Sequence, residues 1–498
     1  MLRILSFHCL LGAPIPHYYS SKRQATSEKL VFSHFMIGIV SNRNNASDYD
    51  ADMQRAKSYG IDAFALNIGT DDYTDTQLEY AYESAANNDM KVFLSFDFNW
   101  WDPSDASGVG SKIAQYGNKS AQLTINGKVF VSSFSGDSLD IVTVRSTAGL
   151  DLFVAPNFHP GEGDFSNLDG ALNWMGWPND GNNKAPQGGV DITVTDGDKT
   201  YLTTIADKTL IAPASPWFST HFGPEVTYSK NWVFPGDLLW YQRWNDILTS
   251  APEYVEIITW NDYGESHYVA PLSSPHTDDG GSKWVNDMPH DGWLEMAKPF
   301  ISAYKAGSTT VSDHITDDQI IYWYRPTPRD IDCDSTDTTM GAANNASGNY
   351  FNGRPNGWET LTDEVFVVSL LTAKGTVTVN SGGTEYSYDA PAGASAFSVP
   401  MGLGAQAFAL TRDGSTVISD TSLKEIVSDC IYGIYNFNTY VGTVPAGDSD
   451  SLQADGLTAL TSGLAVAAEA TPSLPATAPA TVAVTATGTP TPAPTSSV

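Results

Sequence analysis

Positive charge is scarce in this chain of 498 residues. The 26 lysines and arginines stand against 57 aspartates and glutamates, for a net charge of −31. Nucleic-acid phosphates and anionic membrane surfaces both call for clustered basic residues, so neither is an expected partner. Charged residues of both signs amount to only 17%, which suits a neutral polysaccharide ligand and equally suits plain solubility in acidic surroundings. Long apolar runs are missing too, so no membrane-spanning helix is expected. The Pro-Thr-Ser-Ser-Val ending lacks the hydrophobic tail of a lipid-anchor signal. Cysteine is reduced to Cys9, Cys333 and Cys430. No Cys/His group has zinc spacing, and with Cys9 in the extreme N-terminus, Cys333 and Cys430 are left as a candidate disulfide. Neither a metal nor a cofactor is expected, and a monomer is the expected state.

What is present is a globular composition, 41% hydrophobic and 11% aromatic, over a length that suits two domains with large cores. Residues 1–30 read as a weak secretory signal and pro-segment: Arg3, an apolar run broken by His8, then Gly12-Ala13-Pro14, with Lys22-Arg23 as a candidate processing site. Asn45, Asn118 and Asn345 stand in glycosylation sequons. An extracellular, wall-associated protein is the expectation.

From 31 to 305, apolar strand-like runs alternate with helical or polar segments. The runs are 34–40, 63–68, 91–98, 128–134, 152–158, 171–177, 209–214 and 255–260. Between them, 48–59 carries a helical apolar stripe, Thr74-x-x-Gln77 reads as a capping box, and Asp237 is placed to cap a helix over 238–248. Asn126-Gly127 is a hairpin signal. Eight strands over this length are the rhythm of a (β/α)8 TIM barrel; a doubly wound sheet is the alternative, but no Gly-rich phosphate loop follows the first run. In such barrels the chemistry sits at the C-terminal strand ends. Here those ends carry Asn67, Asp97 with Trp100 and Trp101, Asn157 with His159, Trp174 with Trp177, Trp217 with His221, and the string 256–267. Recurrence of polar and aromatic residues on six ends points to a carbohydrate-type cleft.

The string Thr259-Trp260-Asn261-Asp262-Tyr263-Gly264-Glu265-Ser266 closes the last run. Gly264 is expected to turn the chain at positive φ, placing Asp262 and Glu265 on a corner. Two carboxylates among aromatic rings are what glycoside hydrolysis uses: one protonates the leaving oxygen, the other activates water. A polar surface loop is the plain alternative. From 306 to 445 the pattern becomes short alternating runs broken by Gly and Pro, an antiparallel β-sandwich that either binds polysaccharide or braces the barrel. Residues 446–498, rich in Thr, Ala and Pro, are expected to be disordered.

Phe96-Asp97-Phe98, Asn157-Phe158-His159-Pro160, Trp217-Phe218 and above all the Trp-Asn-Asp-Tyr-Gly-Glu-Ser string resemble the fungal α-1,3-glucanases, the mutanases of glycoside hydrolase family 71. The resemblance runs from about 31 to about 440. It implies a barrel followed by a β-sandwich, secretion, and endo-hydrolysis of α-1,3-glucan with inversion and without a metal. The family's acidic residues carry over onto Asp262 and Glu265, with Asp97 as a third. Glu265 is read as the proton donor and Asp262 as the base, with the labels open to exchange. Asn67, His159, Trp217, Trp260, Asn261 and Tyr263 are the candidate substrate contacts. A glycosidase of another linkage and a non-catalytic glucan-binding wall protein are the competing functions.

Overall fold

The eight apolar runs form eight parallel strands, because β-branched and aromatic residues at period 2 pack well on both faces of a covered sheet. They are β1 Leu30–Met36, β2 Ala63–Ile68, β3 Lys91–Asp97, β4 Lys128–Phe134, β5 Leu152–Val154, β6 Gly170–Leu172, β7 Thr209–Ala214 and β8 Tyr254–Ile257. The computed structural model describes residues 28–181, 183–186, 191–223, 229–277, 279–337, 353–447 and 491–492. Cys9, Lys22-Arg23, Asn345 and most of the tail lie outside these.

The strands pair in the order β5-β4-β3-β2-β1-β8-β7-β6. The sheet is curled, and near its two edge strands Asp169 N donates to Val154 O and Leu172 N to Pro156 O, both 2.9 Å. Helices α1 Asp50–Ser58, α2 Thr74–Asn87, α3 Ala106–Tyr116, α4 Ile141–Ala148, α5 Val194–Ile205, α6 Leu239–Ser250 and α7 Gly292–Ala306 punctuate it. Side-chain alternation sorts the core. Val31, Phe64, Val92 and Leu94 cluster with Met53, Leu78 and Ile113 from the helices. Phe32, Phe93, Phe130, Phe153 and Tyr254 cluster inside the curl, with Phe32 and Phe93 centroids 5.1 Å apart. Two residues on, the same inner face carries His34, Ser95 and then Asp97, and Glu256 follows Tyr254. The inside is therefore apolar at one end and polar at the other.

Several local expectations are corrected. The first strand starts at Leu30 and ends at Met36, before a 3-10 turn. The capping box does not form: Tyr73 is the N-cap of α2, and Gln77 instead accepts from the Tyr49 hydroxyl and donates to Arg43 O. Asp237 makes no cap on α6; it accepts from Thr362. The Asn126-Gly127 turn does join Thr124–Ile125 to β4, both residues at positive φ.

The later region is built from β9 Gln319–Tyr324, β10 Glu364–Leu371, β11 Gly375–Ser381, β12 Thr384–Ala390, β13 Gly393–Pro400, β14 Gln406–Arg412, β15 Ser415–Thr421 and β16 Tyr440–Val444. These make two antiparallel sheets, β16-β9-β10-β13, with Thr491–Pro492 beside β13, and β12-β11-β14-β15. Tyr322, Val365, Phe397, Val377 and Phe408 share one core between them. Strands β9 and β16 are not among the runs read from the sequence. A disulfide joins Cys333 to Cys430, with Cα atoms 5.8 Å apart.

Candidate active site

The polar end of the curled sheet is closed by the continuation of β8. Trp260 N donates to His34 O at 2.7 Å. The Asn261 amide pairs with both backbone groups of Met36, accepting at 2.7 Å and donating at 3.2 Å. These bonds fasten residues 258–261 to the end of β1 and throw the next four residues into a corner. Asp262 N donates to the Thr259 hydroxyl at 2.8 Å, and Asp262 Oδ1 accepts from Glu265 N at 3.1 Å. Gly264 does not take the positive φ expected of it; Ser266 does, at 61°. Gly264 is required for space instead. A Cβ there would stand 2.4 Å from Asp279 Oδ2 and 2.7 Å from the Phe222 ring.

Within this corner the carboxylates of Asp262 and Glu265 and a ring nitrogen of His267 bring atoms within 4.8 Å of one another. Glu265 Oε2 meets His267 Nε2 at 2.9 Å, and Asp262 Oδ2 lies 3.9 Å from the same nitrogen. The other His267 nitrogen is 3.1 Å from the Thr259 hydroxyl. Glu265 Oε1 is in contact with the Lys230 ammonium. Lys230 reaches it from an antiparallel hairpin, Ser219–Phe222 with Lys230–Val233, whose base is tied to the corner by Ser219 N to Glu265 O, 3.0 Å.

The charges divide the pair. Burial pushes the Glu265 carboxyl up, but Lys230 and His267 outweigh it and hold it at about 2. Burial and the negative Glu265 push Asp262 above the ordinary carboxylate range, against the pull of His267 and Lys230. Burial lowers Lys230, and Glu265 and Asp262 overcome that and raise it. Asp97, at the end of β3, is also pushed up by burial, against bonds from the Asn99 amide and Asn67 and the charges of His34 and Lys230. Charge therefore favours the ionised form of Glu265, while burial disfavours that of Asp262 and Asp97. Below them a buried pair, His34 Nδ1 and Glu256 Oε1 at 2.8 Å, fills the inside of the sheet.

Of the candidate contacts, Asn67 stands beside Asp97 as a hydrogen-bond donor. His159 is 42% exposed at the end of β5, oriented by Asp137 at 2.7 Å. With Glu162 these form a second set of donor atoms within 4.8 Å of one another, in which both Asp137 oxygens already serve His159. Four of the candidate contacts are held by the framework. Trp217 is buried and donates to Phe437 O at 3.0 Å. Trp260 is buried and donates to Asp52 at 2.9 Å. Tyr263 is buried, donates to Pro271 O and stacks on His276 at 3.8 Å. Asn261 is spent on Met36. Each side chain is consumed by the framework that shapes the corner, so none offers a free face to a ligand. Trp177 is likewise buried on Trp217 O, whereas Trp100 is 64% exposed. Sequence reasoning missed Lys230, a lone lysine in a polar stretch without a signal. It also missed the role of His267, although the motif's own end contained it.

A profile of glycosyl hydrolase family 71 matches residues 27–453. A mutanase of Penicillium rubens is 40% identical over 450 residues, covering 89% of this chain and 95% of that one. A glucan endo-1,3-alpha-glucosidase of Schizosaccharomyces pombe is 33% identical over 440 residues, covering 84% and 95%. An ascus wall endo-1,3-alpha-glucanase of the same yeast is 26% identical over 394 residues, covering 73% and 84%. With the match spanning both the curled sheet and the antiparallel region, the chain belongs to glycosyl hydrolase family 71.

Proposed function

We propose that this chain is a secreted endo-hydrolase of α-1,3-glucan. The observation that carries the reading is the Asp262–Glu265 corner, with Lys230 and His267 on Glu265, in a family 71 chain whose relatives are named for that substrate. We read the curled sheet of 31–305 as a full (β/α)8 barrel, closed by the two bonds between β5 and β6, and 306–445 as a β-sandwich that braces it. The ascus wall relative supports action outside the cell, at a wall, and a monomer completes the reading.

The chemistry follows from which carboxyls are charged. Glu265, with Lys230 and His267 on its two oxygens, is the base that activates water. Inversion places acid and base on opposite sugar faces, about 6.5–9.5 Å apart. The nearest oxygens of Asp262 and Glu265 lie within 4.8 Å of one another, short of that separation. Asp97 is three strands away from β8, about 14 Å along a flat sheet at about 4.8 Å per strand, and curling shortens that distance. In this reading Asp97, whose carboxyl burial pushes up, is the donor to the glycosidic oxygen. Asp262 accepts from the Glu265 amide and stands beside the base.

The test is reducing-sugar release from insoluble α-1,3-glucan, with β-1,3-glucan and starch as controls. Activity on the first alone, lost in Glu265→Gln, supports the reading; no activity on any of the three ends it. An activated leaving group separates the roles. An α-glucosyl fluoride needs no proton donor, so Asp97→Asn should still cleave it and Glu265→Gln should not. The opposite result would exchange the two labels.

A further inference from the structure

The hairpin that carries Lys230 belongs by contact to both regions. Asn231, next to Lys230, accepts at Oδ1 from His221 Nδ1 at 2.7 Å and donates through Nδ2 to Gly353 O at 2.9 Å. Asn356 N donates to Asn231 O at 3.1 Å, and Val233 N donates to Asn356 O at 2.9 Å. The other nitrogen of His221 meets Asp337 Oδ2 at 2.7 Å. His221, Asn231 and Asp337 are all buried. Asp337 is in turn fixed by its own amide donating to Cys333 O at 2.8 Å, and by Tyr435 N at 3.3 Å. Cys333 is one end of the disulfide to Cys430. An unbroken chain of bonds therefore runs from the disulfide, through Asp337, His221 and Asn231, to the lysine that touches Glu265.

We propose that Lys230 is a positioning residue for Glu265 and that the antiparallel region sets its place, through Asp337 and His221. This rests on the reading of Glu265 as the base. A lysine side chain is long and loses its rotamer freedom only if something holds its backbone. Here the hairpin is held on one side by Glu265 O and on the other by Asp337, Gly353 and Asn356. The ammonium can then act as a fixed charge rather than a wandering one. A preorganised charge costs no rearrangement at the moment of reaction. The groups that face this ammonium are Glu265, Asp262, Asp279 and Asp97, with the Phe222 ring 5.8 Å away. His267 faces the same carboxylate from the corner itself. The antiparallel region is then part of the catalytic apparatus and not only a brace.

The experiment compares wild type, Lys230→Met, Lys230→Arg and Asp337→Asn for the pH dependence of kcat/KM on α-1,3-glucan, alongside the titration of the Glu265 carboxyl by carbon NMR, with its resonance identified by Glu265→Gln. Removing an opposite charge in contact shifts a carboxyl by about 1–3 pH units. Lys230→Met should raise both the acid limb and the Glu265 titration by that amount and slow the reaction most near pH ~3.5, below the ordinary glutamate range. Lys230→Arg should retain the low limb. Asp337→Asn, remote from substrate, should move both readouts the same way by less. A Lys230→Met enzyme with the wild-type limb and titration overturns the positioning role. An Asp337→Asn enzyme with both unmoved overturns the route from the antiparallel region. If the Glu265 titration moves while the wild type hydrolyses no glucan, the contact stands and the assigned reaction falls.

Discussion

Acidic residues in the two regions of this molecule are handled in opposite ways. In the antiparallel region Asp318 and Asp363 are each paired with an arginine. Asp318 accepts a fork from Arg412, which holds its carboxyl at about 2, and Asp363 is paired with Arg325. Such pairs are electrically closed and do nothing but hold the chain. At the polar end of the curled sheet, Asp97, Asp262 and Glu265 share Lys230, with His34 and His267 as the other groups named against them. Carboxyls crowded around so little positive charge do not all ionise equally readily. The geometry gives Lys230 and His267 to Glu265, while burial pushes Asp97 and Asp262 up. In the proposed mechanism that shortage is what separates an acid from a base among the carboxyls.

The comparison breaks or sharpens at definite places. Removing the base, Glu265→Gln, should lower kcat by about 10²–10⁴ with little change in melting temperature. The matching change in the other region, Asp318→Asn, should leave kcat alone. Equal loss in both would erase the distinction between working and structural acids. Phe408→Ala removes a ring stacked on Tyr322 at 3.8 Å inside the antiparallel core. Denaturant unfolding should show a loss of about 3–5 kcal/mol, with kcat of the folded enzyme kept. Trp217→Phe should lower the melting temperature and leave KM for glucan unchanged, because its indole serves Phe437 O; a raised KM would return Trp217 to the binding surface. His276 is driven by burial to about 3, from an ordinary 6.5. Between those values the unfolded chain takes up a proton that the folded chain refuses, so stability rises with pH across that window. It is fully present above about 6.5 and declines as pH falls toward 3; melting followed over this range checks the sign. The smallest effect is on stability in Asp318→Asn, about 1 kcal/mol or less and reduced by salt.

Much of the fold was legible. Apolar, β-branched runs located all eight parallel strands, and Asn126-Gly127 marked its hairpin, since these signals depend on residues close in sequence. The first strand was placed four residues late because both faces of it are covered and alternation gives no register. The capping box failed because Gln77 found better partners in Tyr49 and Arg43, which only packing brings near. Strands β9 and β16 went unread; their aromatic sequences Gln-Ile-Ile-Tyr-Trp-Tyr and Tyr-Val-Gly-Thr-Val lie outside the alternating runs that marked the region.

By itself, the sequence determined the alternation of strands and helices, the change of architecture after residue 306, and the placing of Asp97, Asp262 and Glu265 at strand ends. Those follow from residue type and local spacing. Only the tertiary structure buries Trp217, Trp260 and Tyr263 and brings Lys230 against Glu265. The partner of Trp217 is 220 residues away, and Lys230 meets Glu265 across 35. Burial and charge are properties of neighbours in space, and only folding supplies those neighbours.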